Sequence, residues 1–160
     1  DDKDDTAAWL VSKGYVASDK IAMHGYSYGG FASIAASVRP DSPYQCAIAG
    51  AGVADLTKLG NLWGDNRIQR VRQGQTVKGM DPMRNTQKVN ISILLYHGDY
   101  DVRVPLFHSR DFYNSIKSSS PQSELIVYKE MGHQSNKWKA EHREDILVQM
   151  DRYLTDVCGM

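Results

Sequence analysis

The chain has 160 residues, enough for one ordinary domain and too few for two comfortable ones. Nineteen Lys and Arg offset nineteen Asp and Glu, which excludes the surplus positive charge that a nucleic-acid arm or a polybasic membrane surface needs. The apolar share of 41% is that of a folded protein, and no run approaches the roughly 18 apolar residues of a membrane span, the best being residues 91–96. With no internal repeat, low-complexity tract or linker, residues 1–160 read as one domain. The opening Asp1-Asp2-Lys3-Asp4-Asp5 carries no signal-peptide pattern and reads as an interior cut.

In chain order, the pattern predicts a helix over 4–13 with Ala7, Ala8, Leu10 and Val11 as its apolar positions and Gly14 as its C-cap. A buried strand over 20–25 follows, then a small-residue helix over 27–38 that Arg39-Pro40 stops. Residues 46–52 read as a second buried strand. Residues 54–90 have no clean period, and short helices over the top of a sheet are expected there. The clearest strand covers 90–97. Pro105 opens a helix to about 118, and residues 124–128 form a fourth strand. The last helix is the most regular, with Ile146, Leu147, Met150, Tyr153, Leu154 and Val157 at three- and four-residue steps. Strands alternating with helices imply right-handed crossovers and a parallel sheet of about four strands. The fold class is α/β.

Gly25-Tyr26-Ser27-Tyr28-Gly29 fits the G-x-S-x-G nucleophile elbow and lies where that motif must lie, between a strand and a helix. A nucleophile on a strained turn needs small residues two positions to either side, and Gly30 extends that small surface. The bland alternative is a glycine-rich turn with a capping serine. A serine hydroxyl needs a base, and the base an orienting carboxylate, in the chain order Ser, acid, His. The loop after the clearest strand offers Asp99 and Asp101. Both residues favour turns, and the reading assigns Asp101 as the acid and Asp99 as the residue that shapes the loop. The later histidines are His108, His133 and His142. The first and last fall on helices, where a partly solvated position is expected, whereas His133 follows the fourth strand on a loop beside Gly132. His24 and His97 precede the acid and read as structural residues near strand ends. The two cysteines lack metal-ligand spacing and no G-x-x-x-x-G-K-[ST] run occurs, so no metal or cofactor is expected.

These motifs resemble the catalytic domain of the prolyl oligopeptidase family of serine peptidases, nearest its dipeptidyl-peptidase and acylaminoacyl-peptidase branches. Residues 25–30 match the family's G-x-S-Y-G-G form, residues 97–105 its H-G-x-x-D-x-x-V-P acid loop, and Gly132-His133 its G-H loop. The resemblance implies Ser27 as nucleophile, Asp101 as acid, His133 as base and the Tyr28 amide as an oxyanion donor. It implies a substrate pocket at Tyr28, Val53, Leu56, Leu59, Trp63 and Val104, although simple helix packing accounts equally well for Leu56, Leu59 and Trp63. Leucines at 56 and 59, where rings are frequent, weaken the case for a strict proline preference. It also implies a Cys46–Cys158 disulfide, worth about 4–5 kcal/mol by chain entropy. That bridge would place the protein in the periplasm or outside the cell, and free thiols would place it in the cytoplasm.

The leading function is hydrolysis of peptide bonds through an acyl-enzyme. The alternatives are an esterase on the same triad and a non-catalytic fragment. The elbow at Ser27 leaves only 26 residues before it, so the chain reads as the C-terminal part of an α/β-hydrolase fold. The upstream strands and gating β-propeller of the family would lie outside it. The partners expected are a peptide substrate, that missing N-terminal part, and a second copy through an exposed sheet edge. Without the upstream oxyanion donor, worth about 3–4 kcal/mol of barrier, the chain alone is expected to be a weak catalyst.

Overall fold

A computed structural model describes residues 2–58 and 81–160. Helix α1 (Asp2–Ser12) leads to strand β1 (Ala22–Tyr26), helix α2 (Tyr28–Ser37) and strand β2 (Cys46–Gly50). After a 3-10 segment (Pro82–Lys88) come β3 (Ser92–Gly98), α3 (Phe107–Ile116), β4 (Glu124–Tyr128), a 3-10 turn (Ser135–Lys137) and α4 (Ala140–Asp156). Each expected strand and long helix is present, with ends shifted by one or two residues. The short helices expected over 54–90 are represented by the 3-10 segment. The part of that stretch from 59 to 80, with Leu59 and Trp63, lies outside the described residues.

The four strands form one parallel sheet in the order β1-β2-β3-β4. Strand periodicity divides the core in two. Ala47, Ala49, Ile93 and Leu95 face one side, where Ile34 of α2, Val38 just after it, and Phe112 and Ile116 of α3 cover them. Cys46, Ile48, Leu94 and Tyr96 face the other, against Ile146 and Tyr153 of α4. The continuous apolar run of β2 follows from this, because both of its faces are covered and all five residues are buried. Ala7 of α1 packs on Ala36 and Tyr44 at the β1 side, while Ala8 is exposed.

Two expectations need correction. Leu147, placed on the inner face of the last helix, is 66% exposed. The stripe that touches the sheet is His142, Ile146, Met150, Tyr153 and Val157, and Leu147 lies one residue off it. His108 and His142, expected at solvated helix positions, are buried. His108 accepts the Asp55 amide at Nδ1 (3.2 Å) and stacks on Phe107, and His142 packs edge-on to Tyr128. Each histidine therefore fills an inner helix position that an apolar residue usually takes.

Cys46 and Cys158 are joined by a disulfide, with 5.7 Å between their Cα atoms. It ties the first residue of β2 to the segment just after α4. Arg152 of α4 grips Glu124 of β4 through both carboxylate oxygens, so α4 is fastened to the sheet at two points. No helix among the described residues is long and apolar enough to cross a membrane.

Candidate active site

Parallel strands end on the same rim, and the loops leaving β1, β3 and β4 there carry Ser27, Asp101 and His133. Ser27 sits between β1 and α2 with φ 58° and ψ −113°, a conformation that costs an L-residue energy. Its neighbours hold it there. The Ser27 amide donates to the Gly50 carbonyl (2.8 Å), and its carbonyl accepts the Phe31 amide (3.0 Å). The turn closes because Gly25 and Gly30 lack side chains. A Cβ on Gly25 would lie 2.2 Å from the Gly29 oxygen, and one on Gly30 2.5 Å from the Gly50 oxygen. A Cβ on Gly29 would meet nothing, so the position after the serine that must stay small is 30 rather than 29.

Asp101 follows β3. Its Oδ1 accepts the amides of Arg103 and Val104, both at 2.9 Å, which closes the loop around the carboxylate. Its Oδ2 accepts from His133 Nδ1 at 2.7 Å, and His133 Nε2 lies 2.9 Å from Ser27 Oγ. Because a carboxylate only accepts, Nδ1 carries the hydrogen and Nε2 faces the serine hydroxyl as an acceptor. Burial pushes the Asp101 carboxyl up, but the contacts from His97, the Val104 amide and His133 outweigh it and hold the group below the usual carboxylate range.

Neighbouring strands are about 4.8 Å apart, so the end of β4 lies roughly 14 Å from the end of β1. His133 closes that gap because its loop is laced back over the sheet. Asp99 Oδ1 accepts the Glu130 amide (2.6 Å), the Asp99 amide donates to Tyr128, and the Tyr100 amide donates to Met131. Asp99 thus shapes its loop by tying it to the loop that carries His133. Glu130 takes a positive φ of 56° at the reversal.

His97 is fully buried. Its Nε2 donates to the Val104 carbonyl (2.7 Å) and lies 3.5 Å from Asp101 Oδ2, and its Nδ1 shares a hydrogen bond with Ser109 Oγ of α3 (2.7 Å). The Asp101 loop is thereby pinned to α3. The sequence placed His97 only as a structural residue near a strand end. Its position four residues before Asp101 was the available signal. His24, the other histidine read as structural, is exposed on β1 with Nε2 3.5 Å from the Tyr96 hydroxyl.

Of the expected pocket residues, Val53 and Val104 are buried against one another with Leu56 and Phe31 beside them. Tyr28 is 75% exposed and packs its ring on Phe31. Phe31, one helical turn from Ser27, is an addition that the sequence did not flag. The Tyr28 amide is in the first turn of α2, where helix geometry leaves amides without an intrahelical acceptor.

The prolyl oligopeptidase family profile matches residues 1–159. The chain belongs to that family. Among curated relatives it is similar to a dual function macrocyclase-peptidase of Amanita bisporigera, at 30% identity over 156 residues covering 87% of this chain and 21% of the relative. It is similar also to a prolyl endopeptidase of Dictyostelium discoideum, at 26% identity over 91% of this chain and 21% of the relative. The solved acylaminoacyl peptidase of Pyrococcus horikoshii superposes with a TM-score of 0.72 at 22% identity, over 92% of this chain and 25% of that one. That likeness places the fold among the α/β-hydrolase peptidases. The chain spans about 21% of the length of each of these two curated relatives.

Proposed function

We propose that this chain carries the reacting groups of a serine peptidase, with Ser27 as nucleophile, His133 as general base and acid, and Asp101 as the orienting carboxylate. The observation that supports it is the unbroken hydrogen-bonded series Asp101–His133–Ser27, both links shorter than 3 Å, with the serine raised on a strained turn. On this reading residues 1–160 are the part of an α/β-hydrolase catalytic domain that holds the triad.

The steps follow from the atoms present. Ser27 Oγ attacks the peptide carbonyl carbon while its proton passes to His133 Nε2. The negative oxygen that forms accepts from the Tyr28 amide. His133 then gives the proton to the leaving nitrogen as the C–N bond breaks, leaving the acyl group on Ser27. A water attacks that ester by the same exchange, releasing the acid and returning the proton to Oγ. Asp101 stays ionised throughout and stabilises the imidazolium. The side chain before the scissile bond is received by Val53, Leu56, Val104 and Phe31, beside Tyr28, an apolar lining that suits an uncharged residue. Leu59 and Trp63, also expected there, lie outside the described residues.

A fluorophosphonate probe tests the reading. It is expected to label the protein once per chain and to lose that label in Ser27→Ala. Folded protein that takes up no probe, or a label that persists in the variant, overturns it. Turnover of a chromogenic dipeptide amide, measured beside a simple acyl ester, then separates peptidase from esterase.

A further inference from the structure

His133 is held from behind as well as from its ring. Two consecutive carbonyls of its loop each accept one hydrogen bond from an aromatic side chain. Gly132 accepts from Trp138 Nε1 at 2.7 Å, and His133 itself accepts from the Tyr26 hydroxyl at 2.9 Å. Tyr26 is the last residue of β1 and is peptide-bonded to Ser27. Its ring centroid lies 5.3 Å from that of His133 and 5.2 Å from that of Trp138, the latter edge-on. On its remaining side it stacks on Tyr96 at 6.1 Å. The sheet register makes that stack possible. Tyr26 and Tyr96 both pair with Gly50, whose missing Cβ would otherwise lie 2.5 Å from one ring and 2.2 Å from the other. With Tyr96 on one side and Trp138 and His133 on the other, the Tyr26 ring has no room to swing away.

We infer that Tyr26 is a positioning residue: together with the Trp138 indole, its hydroxyl and ring fix the His133 loop so that Nε2 faces the serine hydroxyl. The inference rests on the peptidase reading above for its consequence in catalysis, but not for the geometry it describes. The bond to Asp101 fixes one ring nitrogen and leaves the imidazole free to tilt about it. Control of the loop's backbone removes that freedom, and a base displaced by about 1 Å can cost as much as a hundredfold in rate. Burial and the neighbouring Asp101 charge keep the Tyr26 hydroxyl protonated, so it remains a donor throughout the neutral range.

The test uses Tyr26→Phe, which removes the hydroxyl and keeps the ring, in protein with 15N-labelled histidine. Long-range 15N–1H correlation reads the ring nitrogens of His133, assigned by their loss in His133→Ala. The expected result is a fall in the Nδ1–H tautomer, with Ser27 labelling by the fluorophosphonate slowed about fivefold, the worth of one net hydrogen bond, at unchanged half-saturation. Unchanged ring shifts overturn the inference whatever the labelling rate does, and so does an unchanged labelling rate beside altered shifts. A role in packing alone lowers the melting temperature without either change. Should Tyr26→Phe fail to fold, Trp138→Phe removes the adjacent donor, and an unaltered His133 in that variant is equally decisive against the inference. If the parent protein takes up no probe, the peptidase reading falls and the ring shifts alone decide whether Tyr26 positions the histidine.

Discussion

At the scale of single residues, the site depends on which atoms can donate. Replacing Asp101 by Asn puts an amide NH2 within reach of His133 Nδ1 and favours the tautomer that turns a hydrogen toward Ser27. Turnover is expected to fall about 10³–10⁴-fold, and His133→Ala is expected to fall comparably. Steady-state kinetics on a dipeptide amide check both, and near-normal turnover in either variant would show that the acid or the base is misassigned. Ser27, Asp101 and His133 were legible in the sequence because each is announced by its own neighbours: small residues around a turn, or a strand run ending in a loop. The contacts of Tyr26 and Trp138 were not, and of His97 only its structural character was. Tyr26 meets His133 across 107 positions of chain, and nothing local to a tyrosine signals which distant carbonyl its hydroxyl will reach.

At the scale of elements, strands were legible from their apolar runs and helices from their three- and four-residue steps, while the inner and outer faces were less so. Leu147 has the right residue type one position off the stripe, whereas His108 and His142 have the wrong type on it. Their burial depends on which partners the fold brings, here the Asp55 amide and the Tyr128 ring. The disulfide between β2 and the end of α4 closes a loop of sequence separation 112. A cross-link over so long a loop is worth about 4–5 kcal/mol through the unfolded chain. The double variant Cys46→Ala, Cys158→Ala is therefore expected to unfold at markedly lower urea. Equilibrium denaturation checks this, and an unshifted midpoint would mean that the bond contributes nothing to stability.

At the scale of the whole molecule, stability is expected to fall in two steps on acidification. Burial lowers the His108 imidazole to about 4, against roughly 6.5 in an unfolded chain. Between those values the unfolded chain binds a proton that the folded one refuses. The His108 contribution is therefore complete above about pH 6.5 and lost toward pH 4, by roughly 2–3 kcal/mol. Asp101 acts lower. Its folded carboxyl lies below the usual range, so its stabilisation is present above the unfolded value of about 3.9 and disappears as pH falls through the folded one. Urea midpoints measured from pH 7 to pH 4 are expected to decline, and His108→Gln to flatten the decline above pH 4. A slope equally steep in that variant would assign it to other groups.

The covalent link between Cys46 and Cys158 also decides how the chain would bear tension. Pulling on its two ends can lengthen only the stretches outside the closed ring, because the bond carries the load straight from the end of α4 to β2. Ser27 lies outside that ring, whereas Asp101 and His133 lie inside it. Under load Ser27 would be drawn off His133 while His133 and Asp101 stayed in register, shielded from force until the disulfide is reduced.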